Sequence, residues 1–274
     1  MKKLTLNEIK NLSYQVLCAV RDVCEENGLS YSLTGGTLIG AVRHQGFIPW
    51  DDDIDIMMPR PDYDRFIQIV KEGDYGFDLL CPEICGEEYW YPFAKACHRG
   101  TLLKENRIQE GEFTLGVYVD IFPVDGAGNH PRTAKLHAMM FQVLHGLKLM
   151  SNWTEFRRSK LRKSYYEPAR FVCYVISRIL GKKLLTRMVD RSLRSRDFHD
   201  CAYAGRLVGD FGSREVMPRE VFEENIRVSF EGGEFSAVAN YDRFLTGLYG
   251  DYMKLPPVEK QVTHHEFEAY WVEE

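Results

Sequence analysis

The chain has 274 residues, 45% of them apolar and 13% aromatic, enough for a sizeable core in something longer than one average domain and shorter than two. No apolar run reaches the roughly eighteen residues of a membrane span, and the opening MKKLTLNEIK has no apolar stretch, so neither a span nor a signal peptide is expected. A net charge of −5 excludes a generally basic nucleic-acid coat, and seven cysteines without repeated spacing fit reduced thiols in a cytoplasmic protein.

Thr5-Leu-Asn-Glu8 has the form of a capping box. Leu6, Ile9, Leu12, Val16, Val20 and Val23 follow at helical spacing as far as Gly28, which predicts an amphipathic helix whose apolar stripe is core. Residues 31–34 read as a short strand, 37–44 as a short helix, and 53–57 as a strand alternating acid and aliphatic. A helix over 62–71 is entered through Pro59 and Pro61, and strands are expected over 77–80, 91–96 and 117–122. Cys81, Cys85, Cys97 and His98 match no zinc spacing and read as small apolar fillers. The sequons at Asn11 and Asn152 carry no meaning without secretion.

Pro131 opens a long helix to about residue 150, and 155–200 reads as helical and basic, broken at Pro168 and Gly181. Residues 226–230 and 234–238 flank Glu231-Gly232-Gly233 as a hairpin. Asn240 is placed to cap a last helix over 241–249 that Gly250 stops, and Pro256-Pro257 begins a polar tail. Strands and helices mix without strict alternation, so the fold class expected is α+β with a mixed α/β sheet.

The most informative stretch is 34–58, TGGTLIGAVRHQGFIPWDDDIDIMM. Asp51, Asp52, Asp53 and Asp55 crowd like charges that repel unless a cation neutralises them. Hard carboxylate oxygens suit Mg²⁺, with Mn²⁺ as the alternative, usually shared with substrate phosphates. On a strand Asp53 and Asp55 would share one face about 7 Å apart while Ile54 and Ile56 enter the core. Gly35 and Gly36 stand before a segment that can open a helix at Thr37, a place where backbone N–H groups accept a phosphate.

Three other readings are weaker. The flanking Ile48, Trp50, Ile54, Ile56 and Met57 speak against a solvated acidic loop. A calcium-binding loop needs glycine sixth and glutamate twelfth, where this chain has Ile56 and Asp62. No Walker phosphate loop occurs.

The stretch from Thr34 to Met58 closely resembles the LicD family of the nucleotidyltransferase superfamily, related to fukutin-type transferases. The resemblance continues at Tyr91-Pro-Phe-Ala-Lys95, in the strand around Asp120, at Leu248-Tyr-Gly-Asp-Tyr-Met-Lys-Leu-Pro-Pro257, and at His264-His265. It implies a catalytic core with a Gly-Gly-Thr turn, metal carboxylates Asp53 and Asp55, and a third carboxylate, Asp120, as ligand or base. Arg43, His44, Asp52 and Lys95 complete the expected substrate-binding set with Gly35, Gly36 and Thr37. Arg43 can fork onto phosphate or neutralise the aspartates, and His44 can move protons or serve structure. Asp51 and Asp52 can also cap a turn, Asp125 before Gly126 reads as a turn residue, and Trp50 and Tyr91 as core or substrate wall.

By this resemblance the enzyme moves a phospho-alcohol, foremost phosphocholine from CDP-choline, onto a sugar hydroxyl of a cell-surface glycan such as teichoic acid or lipopolysaccharide. The acceptor would be lipid-linked and met at the inner face of the membrane. The alternatives are strict nucleotidyl transfer and a non-catalytic membrane-surface scaffold. The organisation expected is a nucleotidyltransferase-like core over 1–130, a helical basic region over 131–200, and a hairpin and helix over 201–274 that complete the core.

Charge is unevenly spread. Residues 155–196 hold thirteen Lys/Arg against three Asp/Glu, which leaves −15 for the remainder. Lys182, Lys183, Arg187, Arg191 and Arg194 recur with apolar residues at helical spacing, the pattern of a helix resting on an anionic membrane surface. No nucleic-acid partner is expected.

Overall fold

The computed structural model describes residues 1–86, 89–105, 114–158, 164–263 and 267–272. Its first long element, α1 (Leu6–Glu26), begins at the expected capping box: Glu8 N–H donates to Thr5 Oγ1 at 3.3 Å and Thr5 N–H donates to Glu8 Oε2 at 2.8 Å. The helix buries Ile9, Leu12, Val16, Leu17, Val20, Val23 and Cys24 along one stripe.

A mixed sheet forms the centre. Its strands are β2 (Ser32–Leu33), β3 (Asp55–Pro59), β4 (Phe77–Leu80), β5 (Ala94–His98) and β7 (Tyr118–Gly128), in the order β2-β3-β7-β5-β4. The β3–β7 pair is parallel and the other pairs along this path are antiparallel. The crossover between β3 and β7 carries α3 (Arg60–Glu72), α4 (Pro82–Cys85) and β6 (Thr101–Glu105). All eleven residues of β7 are buried. Its far half pairs with β8 (Tyr203–Gly205), which pairs in turn with β9 (Val216–Pro218). A hairpin of β10 (Asn225–Phe230) and β11 (Gly233–Val238) turns at Glu231-Gly232. A small sheet joins β1 (Lys2–Lys3) and β6 to β12 (Phe267–Trp271), so the two ends of the chain meet.

One apolar core runs from Val16 to Tyr252 and takes in side chains of α5 (Pro131–Ser151), α6 (Glu167–Leu193) and α7 (Tyr241–Tyr249). The fold is α+β, as the mixed pattern implies.

Several boundaries differ from the sequence reading. Helix α2 (Gly35–His44) opens at Gly35, so the glycine pair is its first turn and not a preceding loop. Strand β3 begins at Asp55, which leaves Asp53 just outside it. Asp125 is not a turn residue: β7 continues through Pro123, Asp125 and Gly126 to Gly128. Proline, aspartate and glycine are depleted in strands, yet here tertiary fit decides. A Cβ on Gly126 would stand 2.4 Å from the Asp197 carbonyl oxygen, and Asp125 accepts two bonds from Arg60, at 2.6 and 3.0 Å. The basic region is helical from Glu167 to Leu193, with Pro168 inside its first turn and a sharp break at Gly181 (φ 75°, ψ 156°). Short strands at both chain ends and around Tyr203 and Val216 carried no alternation long enough to read.

Candidate active site

The site forms where β3, β7 and the first turn of α2 meet. Asp55 opens β3 and Asp120 lies directly beside it in the parallel register of β7. Asp120 N–H donates to the Ile54 carbonyl at 2.9 Å, which fixes that register. Thr37 Oγ1 accepts the Asp55 N–H at 2.8 Å, and Thr34 N–H donates to the Asp55 carbonyl at 3.0 Å, tying the helix start to the strand start.

The glycine pair has a steric reason. Gly35 sits at φ +57°, and a Cβ there would come within 2.9 Å of Asp55 Oδ2. A Cβ on Gly36 would come within 2.4 Å of Asp51 Oδ2. Both carboxylates therefore lie against the N-terminal turn of α2, where the helix dipole favours negative charge. Thr34 Oγ1 is buried at this turn with no hydrogen-bond partner among the described residues.

Asp51, Asp52 and Asp53 each offer an oxygen, and these atoms all lie within 4.8 Å of one another. Burial pushes the Asp55 carboxyl well above its ordinary range, and the charges of Asp53 and Asp120 add to the shift, while Arg206 and Lys95 oppose it. Such a crowded, partly desolvated oxygen set is the donor chemistry of a hard divalent cation. Lys10 lies within reach of the charges of Asp51 and Asp52, its ammonium donating to the Ile48 and Pro49 carbonyls.

Lys95 is a charged residue within the buried strand β5, and it has partners there. It is 2% exposed and donates to Asp120 Oδ1 at 2.6 Å. Its ammonium also sits over the Tyr118 ring at 3.5 Å, Tyr91 at 4.5 Å and Phe93 at 5.3 Å. Phe93 packs on Phe122 at 4.4 Å, so an aromatic wall borders Asp120.

Two expected residues stand elsewhere. Arg43 and His44 lie in the last turn of α2, at the end opposite the glycine pair. Arg43 donates to the Tyr252 carbonyl at 2.6 Å and to His44 Nε2 at 2.9 Å, so it clasps the segment after α7. Burial and the Arg43 charge push the His44 pKa down. His264 and His265 lie outside the described residues.

The structure adds three side chains that the sequence reading left out. Arg206 and Glu215, both buried, pair at 2.8 and 3.2 Å. The Arg206 guanidinium lies over Phe122 at 4.6 Å and turns its field on Asp55. Tyr249 belongs to the quoted Leu248–Pro257 stretch; its hydroxyl lies 3.8 Å from the Cβ position of Gly35. No periodicity marks Arg206 and Glu215, though Gly209 is a trace of them, since a Cβ there would meet Glu215 Oε1 at 1.8 Å.

Residues 28–173 match the family described as LicD/FKTN/FKRP, nucleotidyltransferase domain. The chain is 34% identical over 273 residues to the lipopolysaccharide cholinephosphotransferase LicD of Haemophilus influenzae, covering 98% of this chain and 99% of that one. Uncharacterized proteins of Rickettsia typhi and Rickettsia prowazekii are 41% identical over 92 residues and 40% over 73, about a third or less of each chain.

Proposed function

The chain belongs to the LicD/FKTN/FKRP family and is a transferase of it, and on that premise we propose that it moves phosphocholine from CDP-choline to a sugar hydroxyl of a lipopolysaccharide-type or teichoic acid glycan. The observation that carries this reading is the side-by-side placement of Asp55 and Asp120, with Asp55 and Asp51 against the N-terminal turn of α2 and Asp52 and Asp53 adjoining. The full-length likeness to a cholinephosphotransferase supports the choice of phospho-alcohol and acceptor.

Asp53, Asp55 and Asp120 would hold Mg²⁺, or Mn²⁺ in its place, with Asp51 and Asp52 beside them. When bound, the ion supplies positive charge to the donor's phosphate oxygens. The chain's own groups position and polarise. Asp120 is a ligand or, in place of that, the base that would take the acceptor hydroxyl's proton, and in either role Lys95 on its Oδ1 fixes its orientation. The acceptor oxygen bonds to the choline-side phosphorus, the bond from that phosphorus to the pyrophosphate bridge breaks, and CMP leaves with the bridging oxygen. Arg206 adds a buried positive charge that faces Asp55.

Phosphorus NMR of the full chain with CDP-choline and a lipopolysaccharide oligosaccharide tests this. CMP and a phosphocholine-substituted glycan are expected with Mg²⁺ and neither with chelator. CMP attached to the acceptor would make the enzyme a strict nucleotidyltransferase. Absence of CMP release across a panel of CDP-alcohols would favour the scaffold reading.

A further inference from the structure

Helix α6 is built in two unlike halves. After Gly181 it packs inward through Leu185, Val189 and Leu193. Before Gly181 its buried residue is Ser177, while Phe171, Val172, Val175, Ile176 and Ile179 face solvent with exposures of 40% to 78%. These five recur at three- and four-residue spacing and form one stripe. Water-facing stripes of this size on a helix mark an interaction surface.

The charge around the stripe selects its partner. Arg178 is exposed within the stripe's own half of α6, and Arg187 and Arg191 are exposed beyond Gly181. Arg194 is not among the available cations, because it bonds Asp64, Glu83 and Asp190 at 2.7, 2.6 and 3.0 Å. A second copy docked through the same face would bring the same positive charge against it and be repelled. A nucleic acid would use the charge and leave the stripe in water. An anionic phospholipid surface takes both features, and no helix among the described residues is long and apolar enough to cross a membrane.

We propose that the first half of α6 docks the protein in the plane of an anionic phospholipid bilayer. The Phe171–Ile179 stripe enters the boundary between headgroups and acyl chains, and Arg178, Arg187 and Arg191 lie against lipid phosphates. The proposal stands on this face alone and is independent of the donor assigned above.

Co-sedimentation of the full chain with phosphatidylcholine vesicles, with and without phosphatidylglycerol, tests it. Binding to the phosphatidylglycerol vesicles is expected, weakened by salt. Ile176→Asp with Ile179→Asp should cut partitioning on the order of tenfold or more at every salt concentration. Arg187→Gln with Arg191→Gln should cut it about fivefold per residue at low salt and flatten the salt dependence. Circular dichroism and melting establish that the variants, all at exposed positions, remain folded. The proposal fails if wild-type protein stays with the supernatant, if neutral vesicles bind equally, or if the double Asp variant binds like wild type. It fails too if sedimentation velocity finds a dimer that the Asp variant dissolves. Any of these leaves the transferase reading untouched.

Discussion

Asp55 and Asp120 are register partners on adjacent parallel strands, so two acidic side chains stand side by side where the strand spacing is only about 4.8 Å. Burial and the neighbouring Asp53 raise the Asp55 carboxyl far above its usual range, which means that the protein without a bound cation carries like-charge repulsion in its centre. Under the proposed function, activity and stability pull in opposite directions at these positions, and substitutions should separate them.

Asp53→Asn and Asp55→Asn are each expected to abolish Mg²⁺-dependent CMP release. Asp55→Asn should also melt higher than wild type in the absence of metal, since the neutral amide relieves desolvation and like-charge repulsion. Scanning fluorimetry with and without Mg²⁺ reads both effects. A metal-dependent rise of equal size in wild type and variants would remove these carboxylates from the site.

Lys95 and Asp120 depend on one another. Asp120→Asn leaves a buried ammonium without its carboxylate and should destabilise by roughly 3–5 kcal/mol, whereas adding Lys95→Met should restore part of that loss. If Asp120 takes the acceptor proton, the single variant keeps donor affinity in calorimetry while turnover collapses; if it is a ligand, both fall. Full activity would mean that the third carboxylate is misassigned.

Much of this centre was legible because its signals are local. The capping box at Thr5, the glycine pair, the Asp53-Ile54-Asp55 alternation and the hairpin at Glu231 all carry their geometry in a few consecutive residues. What escaped is long-range. The Asp120 partner of Lys95 depends on strand register, and the Arg206–Glu215 pair reaches Asp55 only through β8 and the segment after it. Asp125 was misread because Asp-Gly ordinarily turns. Its strand is continued by pairing with β3 and β8, and its charge is met by Arg60 from the first turn of α3. Residues 155–158, read as helix, are not helical, residues 159–163 of the same expectation lie outside the described residues, and Pro168 stands in the first turn of α6.

The two buried arginine–carboxylate pairs should behave differently. Asp125→Asn strands Arg60 at the far end of the sheet and should cost about 3 kcal/mol of stability, with turnover of the folded protein within a few-fold of wild type. Glu215→Gln should cost a similar amount and also slow turnover at least tenfold, since Arg206 faces Asp55. Urea denaturation together with CMP release at saturating donor distinguishes them, and equal kinetic losses would refute the assignment of Arg206 to the site.

Lys148 offers a test of pH dependence away from the carboxylates. It lines a cavity of about 450 Å³ between α3 and α6, is 2% exposed, and donates to the Trp90 carbonyl at 3.0 Å. Burial and then repulsion from Lys182 lower its pKa to about 8, against some support from Asp190. Because the folded-state value is depressed, the unfolded chain binds more protons between pH 8 and the ordinary lysine value of 10.5. The group's contribution to stability therefore rises with pH through that window, and at neutral pH its cost is full, on the order of 3 kcal/mol. Lys148→Met keeps the volume and removes the charge, so it should raise stability at pH 7 by about 2 kcal/mol once the lost Trp90 bond is subtracted. The advantage over wild type should shrink steadily as pH climbs from 8 towards 10. His145 supplies an independent readout. Burial and the Lys148 charge hold its imidazole down to about 4, so its NMR titration should move upward in the variant. A variant less stable than wild type at pH 7, with His145 unmoved, would show that Lys148 is not charged and buried at that pH.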